Sequence, residues 1–146
     1  MKIHVYERPD VQEVQIDITC KKHTEEITQI VTALTSMKLT LPAYLEGNIY
    51  SVDLSSIYYF ESIDGKTFMY THDKIYESKL RLYEAEERYS SLGFVRISKS
   101  MVCCLYKAER IQPEFGKRLR ITLENQEQVI VSRQYVPGLR KKLYLP

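Results

Sequence analysis

Short runs of alternating apolar and polar residues recur along the sequence, and this period of two most constrains the fold. In the run 118–123, leucine and isoleucine alternate with arginine and threonine, which gives one apolar face and one basic face. Successive side chains of a strand point to opposite faces of a sheet, so this period predicts half-buried strands. The 12 tyrosines support the prediction, because tyrosine is enriched in strands. We therefore predict a mainly β chain of the α+β class with antiparallel sheets.

Similar apolar runs predict the positions of the other strands. They lie at 39–41, within 48–59 as two short strands bent near Ser55-Ser56, and at 67–71, 75–79, 94–97, 101–105, 118–123 and 129–131. Pro42 is predicted to end the first strand, because proline has no amide hydrogen to donate to a sheet. Asp64-Gly65 is typical of a tight hairpin turn. A short helix is predicted from Leu80 to Tyr89, and a short basic tail after residue 135.

The N-terminal part of the chain has a helical pattern. Four apolar residues recur there at three- and four-residue steps: Ile27, Ile30, Val31 and Leu34. This spacing predicts a helix from Thr24 to Met37, with Thr24 as N-cap. Alternation at 14–18 predicts a strand before the helix, so residues 1–45 are interpreted as a β-α extension and residues 46–146 as the main domain. The apolar stripe of the helix either packs on the sheets or forms a homodimer or partner interface, through residues 14–37.

Charge is distributed unevenly along the chain. The net charge is +2, but residues 1–92 carry 10 Lys and Arg against 15 Asp and Glu, whereas residues 93–146 carry 11 against 4. A basic segment joined to an acidic one favours one surface that faces a polyanion. The alternative interpretation is solvated charge on unrelated faces.

Few residues suggest catalysis. The three histidines, His4, His23 and His72, are far apart, and no glycine-rich phosphate loop occurs. Cys20 beside two lysines and the Ser98-Lys99 pair hint at a nucleophile, but neither belongs to a motif that includes a base and an orienting group. We therefore predict no enzymatic activity, no metal site and no cofactor. A small enzyme that uses one of these groups is the least favoured interpretation.

Cysteine usage and hydropathy favour the cytoplasm. Three cysteines, two of them adjacent, make a poor disulfide framework, which fits a reducing compartment. Cys103-Cys104 lies in an apolar run, so at least one of the two is predicted to face the core. The sequence has no apolar run of about 18 residues and no secretion-signal pattern at its N-terminus, so membrane insertion is not predicted.

An ordered set of short motifs from Ile57 to Leu143 resembles the LytTR family of bacterial DNA-binding domains. The motifs are Ser56-Ile57-Tyr58-Tyr59-Phe60-Glu61-Ser62, Tyr76-Glu77-Ser78-Lys79-Leu80-Arg81-Leu82-Tyr83-Glu84, Phe94-Val95-Arg96-Ile97-Ser98-Lys99-Ser100 and Val129-Ile130-Val131-Ser132-Arg133-Gln134-Tyr135. They occur in the order and spacing of the family. Ser56 replaces the usual acid, Ser98 a common histidine and Gln134 a second arginine.

The resemblance implies an elongated arrangement of antiparallel β-sheets with a short helix after the first hairpin. Members of the family place loops into successive major grooves of DNA, usually downstream of a phosphorylatable receiver domain. The segment before residue 50 is too short for a receiver and lacks its paired acids. The chain is therefore interpreted as a stand-alone transcription regulator that is not controlled by phosphorylation.

The resemblance also implies which residues contact DNA. The expected base contacts lie in three turns, at 64–67, 98–100 and 132–134, and are Lys66, Thr67, Ser98, Lys99, Ser100, Arg133 and Gln134. The expected phosphate contacts are Lys107, Arg110, Lys117, Arg118, Arg120, Ser132 and Lys142. A side chain that reads a base edge contributes about 1–3 kcal/mol of discrimination, whereas phosphate contacts only position the protein. Glutamine reads adenine and arginine prefers guanine, so Gln134 implies an altered target sequence.

The predicted function is sequence-specific binding of double-stranded DNA by a bacterial transcription regulator. A helix-turn-helix is not predicted, because about forty residues of predicted strand separate the two helices. Loops or strand ends must therefore enter the groove. The alternative is a non-catalytic, β-rich protein-interaction module that has lost DNA recognition.

Overall fold

The structure, a computed structural model, describes residues 1–35 and 39–143. It divides the chain into two compact units, residues 1–37 and 38–146. The first unit contains helix α1, Glu25–Thr35, which begins directly after Thr24, as predicted. The predicted helical residues Ser36 and Met37 lie outside the described residues. No residue of α1 is buried, and Val31 and Leu34 of its apolar stripe are 40% and 36% exposed.

The predicted strand at 14–18 is wrong. These residues have no strand conformation, and Val14 and Ile16 are 89% and 61% exposed. Alternation produces a strand only where a neighbouring strand completes its hydrogen bonds. The described part of the first unit contains no other strand that could do so.

The second unit contains a seven-stranded antiparallel sheet. Its strands are β1 Thr40–Leu45, β2 Asn48–Asp53, β3 Tyr59–Ile63, β4 Lys66–Tyr70, β5 Ile75–Ser78, β6 Phe94–Ser98 and β7 Met101–Cys104. Their order in the sheet is β2-β1-β5-β4-β3-β7-β6. Helix α2, Leu82–Arg88, connects β5 to β6 and confirms the predicted short helix.

A second, three-stranded antiparallel sheet follows in the sequence. It contains β8 Ala108–Glu114, β9 Arg118–Leu123 and β10 Gln128–Val131, in the order β10-β9-β8. A 3₁₀ turn, Arg133–Tyr135, then leads into helix α3, Val136–Lys142. The described residues thus confirm the predicted class, mainly β with a few short helices.

The central strands of the large sheet are buried on both faces. In β3, Phe60 belongs to one apolar cluster, which includes α2, and Tyr59 belongs to a second cluster, which includes the small sheet and α3. In β7, Cys103 and Cys104 divide between the two clusters in the same way, so both cysteines are buried. Strands covered on both faces have continuous apolar sequences, and this explains the unbroken apolar run at 101–105.

One local prediction failed and one strand was missed. Pro42 does not end a strand but lies within β1, opposite Ser51 of β2. Strand β1 pairs with β5 only at Tyr44 and Glu77, so the part of β1 that contains Pro42 has a partner strand on one side alone. A residue without an amide donor is tolerated where one side of the strand is unpaired. Strand β8 was not predicted, because most of its side chains are exposed and the apolar alternation is weak.

The expected basic tail is helix α3, which buries Val136 and Leu139. Two end signals could have identified it, a proline in its first turn and the cations in its last turn.

The environments of the three cysteines allow a test of how this core is packed. Burial raises the pKa of the Cys103 thiol to about 12 and also raises that of Cys104, whereas Cys20 is exposed. Because the thiolate is the reactive form, Cys20 alone should react with excess Ellman's reagent at neutral pH. The other two cysteines should react only after unfolding in guanidinium. Rapid reaction of all three in the native protein would contradict the packing.

Candidate nucleic-acid interface

Backbone pairing places two of the predicted DNA-contacting turns side by side. Strand β3 pairs with β4 through Ile63 and Lys66 and with β7 through Glu61 and Met101. The Ser62 amide donates a hydrogen bond to the Ser100 carbonyl oxygen, 2.8 Å away. The β3–β4 turn and the β6–β7 turn therefore lie at the same edge of the large sheet.

A second backbone hydrogen bond brings the third turn to this edge. The Ser132 amide donates to the Ile97 carbonyl oxygen at 2.8 Å, so the chain leaving β10 lies beside the end of β6. We call the combined surface of residues 64–66, 98–100 and 132–134 the reading edge.

Most of the predicted base-contacting residues are accessible on the reading edge. The exposed side chains are those of Lys66, Lys99, Ser100, Arg133 and Gln134, and Ser98 is half-buried. Thr67 is different, because it lies inside β4 opposite Ser78 and is only 6% exposed. Its side chain is not available to a ligand, so the prediction is corrected at this position.

The β3–β4 turn has a backbone suited to a tight hairpin. Asp64 and Gly65 have φ angles of 50° and 78°, so both central residues are left-handed. This is the conformation of the two-residue turns that match the twist of a hairpin, and Asp-Gly is a favoured sequence for it. The turn presents Lys66 at its C-terminal side.

Arg96 holds the β6–β7 turn in place. Its Nε donates a hydrogen bond to the Ser98 carbonyl oxygen and its Nη2 donates to the Lys99 carbonyl oxygen, both at 2.7 Å. Its Nη1 lies 3.8 Å from Oε2 of Glu86 in α2. The Ser98 hydroxyl also accepts a hydrogen bond from the Ser100 amide at 3.2 Å, so this side chain has a partner within the turn.

Sequence reasoning did not assign a role to Arg96, although the residue stands in the third quoted motif. A planar guanidinium can donate to two acceptors at once, which makes arginine suited to fixing adjacent carbonyl groups. The available signal was an arginine two residues before a turn. Only the three-dimensional structure shows that its donors return to that turn.

The predicted phosphate contacts fall into two groups. Val131 of β10 pairs with Leu119 of β9, which pairs with Pro113 of β8, so Lys117 and Arg118 lie at the same end of the small sheet as the reading edge. Arg118 also donates from Nε to the Phe115 carbonyl oxygen at 2.9 Å.

Other predicted phosphate contacts lie away from the reading edge or have internal partners. The Lys107 carbonyl accepts a hydrogen bond from the Glu124 amide, at the opposite end of the small sheet. Arg110 is exposed on β8 opposite Thr122, nearer to that end. The ammonium of Lys142 donates to the Ser90 carbonyl oxygen at 2.8 Å.

Arg120 has an internal ionic partner, because it forms an ion pair with Glu114. The backbone amide of Phe115 and this arginine both lower the pKa of Glu114 from its ordinary value. Glu114 therefore stays ionised at neutral pH and offsets the positive charge of Arg120, a residue that the sequence predicts to face phosphate.

The described residues offer little for other chemistry. They contain no cluster of three or more histidine, cysteine or acidic side chains that could hold a metal ion. None of their helices is both long and apolar enough to cross a membrane. They also contain no helix-turn-helix, because five strands separate α1 from α2 and another five separate α2 from α3.

Comparison with known proteins supports a single family. Two Staphylococcus aureus proteins, from strains NCTC 8325 / PS 47 and COL, are each 27% identical over 145 residues, or 98% of both chains. Each is named an uncharacterized HTH-type transcriptional regulator. A solved LytTr DNA-binding domain from Bacillus cereus shares the fold, with a TM-score of 0.68, 24% identity, and coverage of 71% of this chain and 95% of that one.

The family profile of the LytTr DNA-binding domain matches residues 47–144, which is most of the second unit. The match includes every turn of the reading edge and covers more than half of the chain. The chain therefore belongs to the LytTr DNA-binding domain family.

Proposed function

We propose that this chain is a bacterial transcription regulator that binds double-stranded DNA through its reading edge, reads base sequence there and acts without catalysis. The observation that carries the proposal is the pair of backbone hydrogen bonds that place Lys66, Lys99 and Arg133 on one edge. Membership of the LytTr DNA-binding domain family supports the same partner. Transcription regulation fits a location in the cytoplasm.

The turns of the reading edge are closely spaced. The β3–β4 and β6–β7 turns are two strand spacings apart in the order β4-β3-β7-β6, or about 10 Å. The major groove is about 12 Å wide and admits one two-stranded ribbon, so the turns meet the duplex at successive positions along it. Arg133 and Gln134 approach from the neighbouring position beside β6. In this arrangement Lys66, Lys99 and Arg133 contact bases, and Gln134 selects adenine through its amide.

The internal contacts reduce the set of phosphate-binding residues. Lys117, Arg118 and Ser132 lie at the reading edge, so we assign them to the phosphates that flank the base contacts. Arg120 and Lys142 are removed because their side chains have the internal partners described above, and Lys107 is removed because it lies at the opposite end of the small sheet. Arg110 is also removed, because it lies nearer the other end of the small sheet.

The base contacts predict the effect of two substitutions. Lys99→Ala and Arg133→Ala should each weaken binding by about 1–3 kcal/mol, or roughly fivefold to 150-fold, because each removes a cation from a base edge. The measurement is fluorescence anisotropy on a duplex selected from a random DNA pool, at fixed salt concentration.

Lys74→Ala is the matched control for these two variants. Lys74 is an exposed lysine just before β5, at the end of the large sheet opposite the β3–β4 turn, and its removal should leave affinity nearly unchanged. Parent-like binding by both reading-edge variants would show that the reading edge is misassigned. Failure of the parent to bind any duplex would instead favour the protein-interaction module.

Arg96 provides a separate test of positioning. Arg96→Ala leaves the Ser98 and Lys99 carbonyl groups without their guanidinium donors, so the turn should become more mobile. We expect faster hydrogen exchange of the Ser100 and Met101 amides and about a tenfold loss in the ratio of specific to random-duplex affinity. Arg96→Lys should not restore the ratio, because lysine has no planar pair of donors.

Arg88→Ala is the control for Arg96, since it removes an exposed arginine whose partner is Glu84 within the same helix. It should leave both readouts at parent values. The positioning role of Arg96 is refuted if Arg96→Ala keeps the parent affinity ratio and the parent exchange rates.

The apolar stripe of α1 is the surface we assign to self-association, with a second copy as the partner. In full-length protein, Val31→Lys together with Leu34→Lys should shift a dimer to a monomer in sedimentation equilibrium, because two buried cations would be unpaired in the interface. Gln29→Lys lies on the opposite side of the helix and should leave the dimer intact. A monomeric parent protein would rule out this assignment.

A further inference from the structure

The β8–β9 hairpin forms a fourth turn at the reading edge. Pro113, Leu119 and Val131 lie in one row across the small sheet. The hairpin residues beyond this row, 115–117, project in the same direction as Ser132, which follows Val131. The turns therefore follow one another along the edge: β3–β4, β6–β7, 132–134 and then β8–β9.

The fourth turn presents an aromatic ring to solvent. Phe115 is 87% exposed, an unusual environment for a large apolar side chain in a soluble domain. Gly116 and Lys117 have φ angles of 77° and 59°, which close a tight left-handed turn. The Phe115 amide donates to Oε1 of Glu114 at 3.1 Å, and its carbonyl accepts from Nε of Arg118 at 2.9 Å.

This geometry restrains the backbone that carries the ring before any partner arrives. Both backbone polar groups of Phe115 are tied to side chains of the same hairpin, so little backbone order remains to be gained on binding. An exposed apolar side chain on a fixed turn is suited to contact with a partner rather than to stabilising the free protein.

The charges around Phe115 identify the class of partner. Lys117 and Arg118 are exposed in the same hairpin, and its one acid near the ring, Glu114, is paired with Arg120. An aromatic group flanked by cations fits DNA, in which apolar base surfaces and thymine methyl groups lie between lines of phosphate. Phenylalanine is among the side chains that proteins insert against bases.

From these observations we infer that Phe115 is a DNA-contacting residue whose ring packs against the bases of the same duplex next to the site of Arg133, while Lys117 and Arg118 bind the flanking phosphates. The inference rests on the proposed function and extends it. It adds an apolar contact to a surface that is otherwise cationic and polar.

The test compares Phe115→Ala with Phe115→Leu in the full-length chain. Phe115→Ala should weaken binding to the selected duplex by about tenfold, the loss expected for removing one large apolar contact. Phe115→Leu should retain most of the affinity. The slope of log affinity against log salt should stay at the parent value in both, because no phosphate contact is removed.

Tyr83→Ala is the control, since Tyr83 is also an exposed aromatic residue, 58% accessible, but lies on α2. It should bind as the parent does. The inference is overturned if Phe115→Ala binds within about twofold of the parent, the resolution of such a comparison. It also falls if the parent binds no duplex, and the two failures are distinguishable because only the second removes the proposed function.

Thermal unfolding separates a lost contact from a lost fold. Phe115 makes no core contact, so the alanine variant should unfold at the parent temperature. Weaker binding that is accompanied by a large loss of stability, and that Phe115→Leu does not restore, would also overturn the inference.

Discussion

The burial of the central strands on both faces is the constraint on which the rest of the second unit depends. Phe60 and Val102 face one apolar cluster, while Ile97 and Cys103 face the other, and all four are fully buried. A shift of one residue in the register of any of these strands would exchange its two faces. Replacing a large apolar residue in such a position by alanine costs about 2–5 kcal/mol, so the register is strongly determined.

Register in turn fixes the geometry of the reading edge. A strand advances about 3.3 Å per residue, so a slip of one residue would displace a turn by a quarter of the width of the major groove. The two hydrogen bonds from Ser62 to Ser100 and from Ser132 to Ile97 then connect the turns to each other. Arg96 adds a local restraint at the middle turn. The sheets behind the reading edge therefore determine the positions of its turns.

The sequence predicts correctly those elements in which the spacing of apolar residues matches the face that is buried in the fold. The alternation at 118–123 corresponds to β9, and Asp64-Gly65 forms the predicted tight turn. The strand predicted at 14–18 fails because the described part of the first unit provides no partner for it. Thr67 was misassigned because it directly follows Lys66, the first residue of β4, and successive side chains of a strand point to opposite faces of the sheet.

The role of Arg96 could not be predicted, since its hydrogen bonds depend on the bulge between Arg96 and Ser98, which the sequence does not announce. Similarly, Phe115 could be recognised as a surface residue only after the unpredicted strand β8 was known. The sequence thus indicated which three turns are involved. Only the fold shows that these turns lie next to each other and which hydrogen bonds they contain.

The most direct test of the central claim is a titration of the protein with a selected DNA duplex, monitored by the NMR shifts of backbone amides. We expect the largest changes at residues 64–66, 98–100 and 132–134, with small changes at the β9–β10 turn, residues 124–127. Shifts concentrated at 124–127 and Lys107 would place the duplex at the opposite end of the small sheet and would contradict the reading edge.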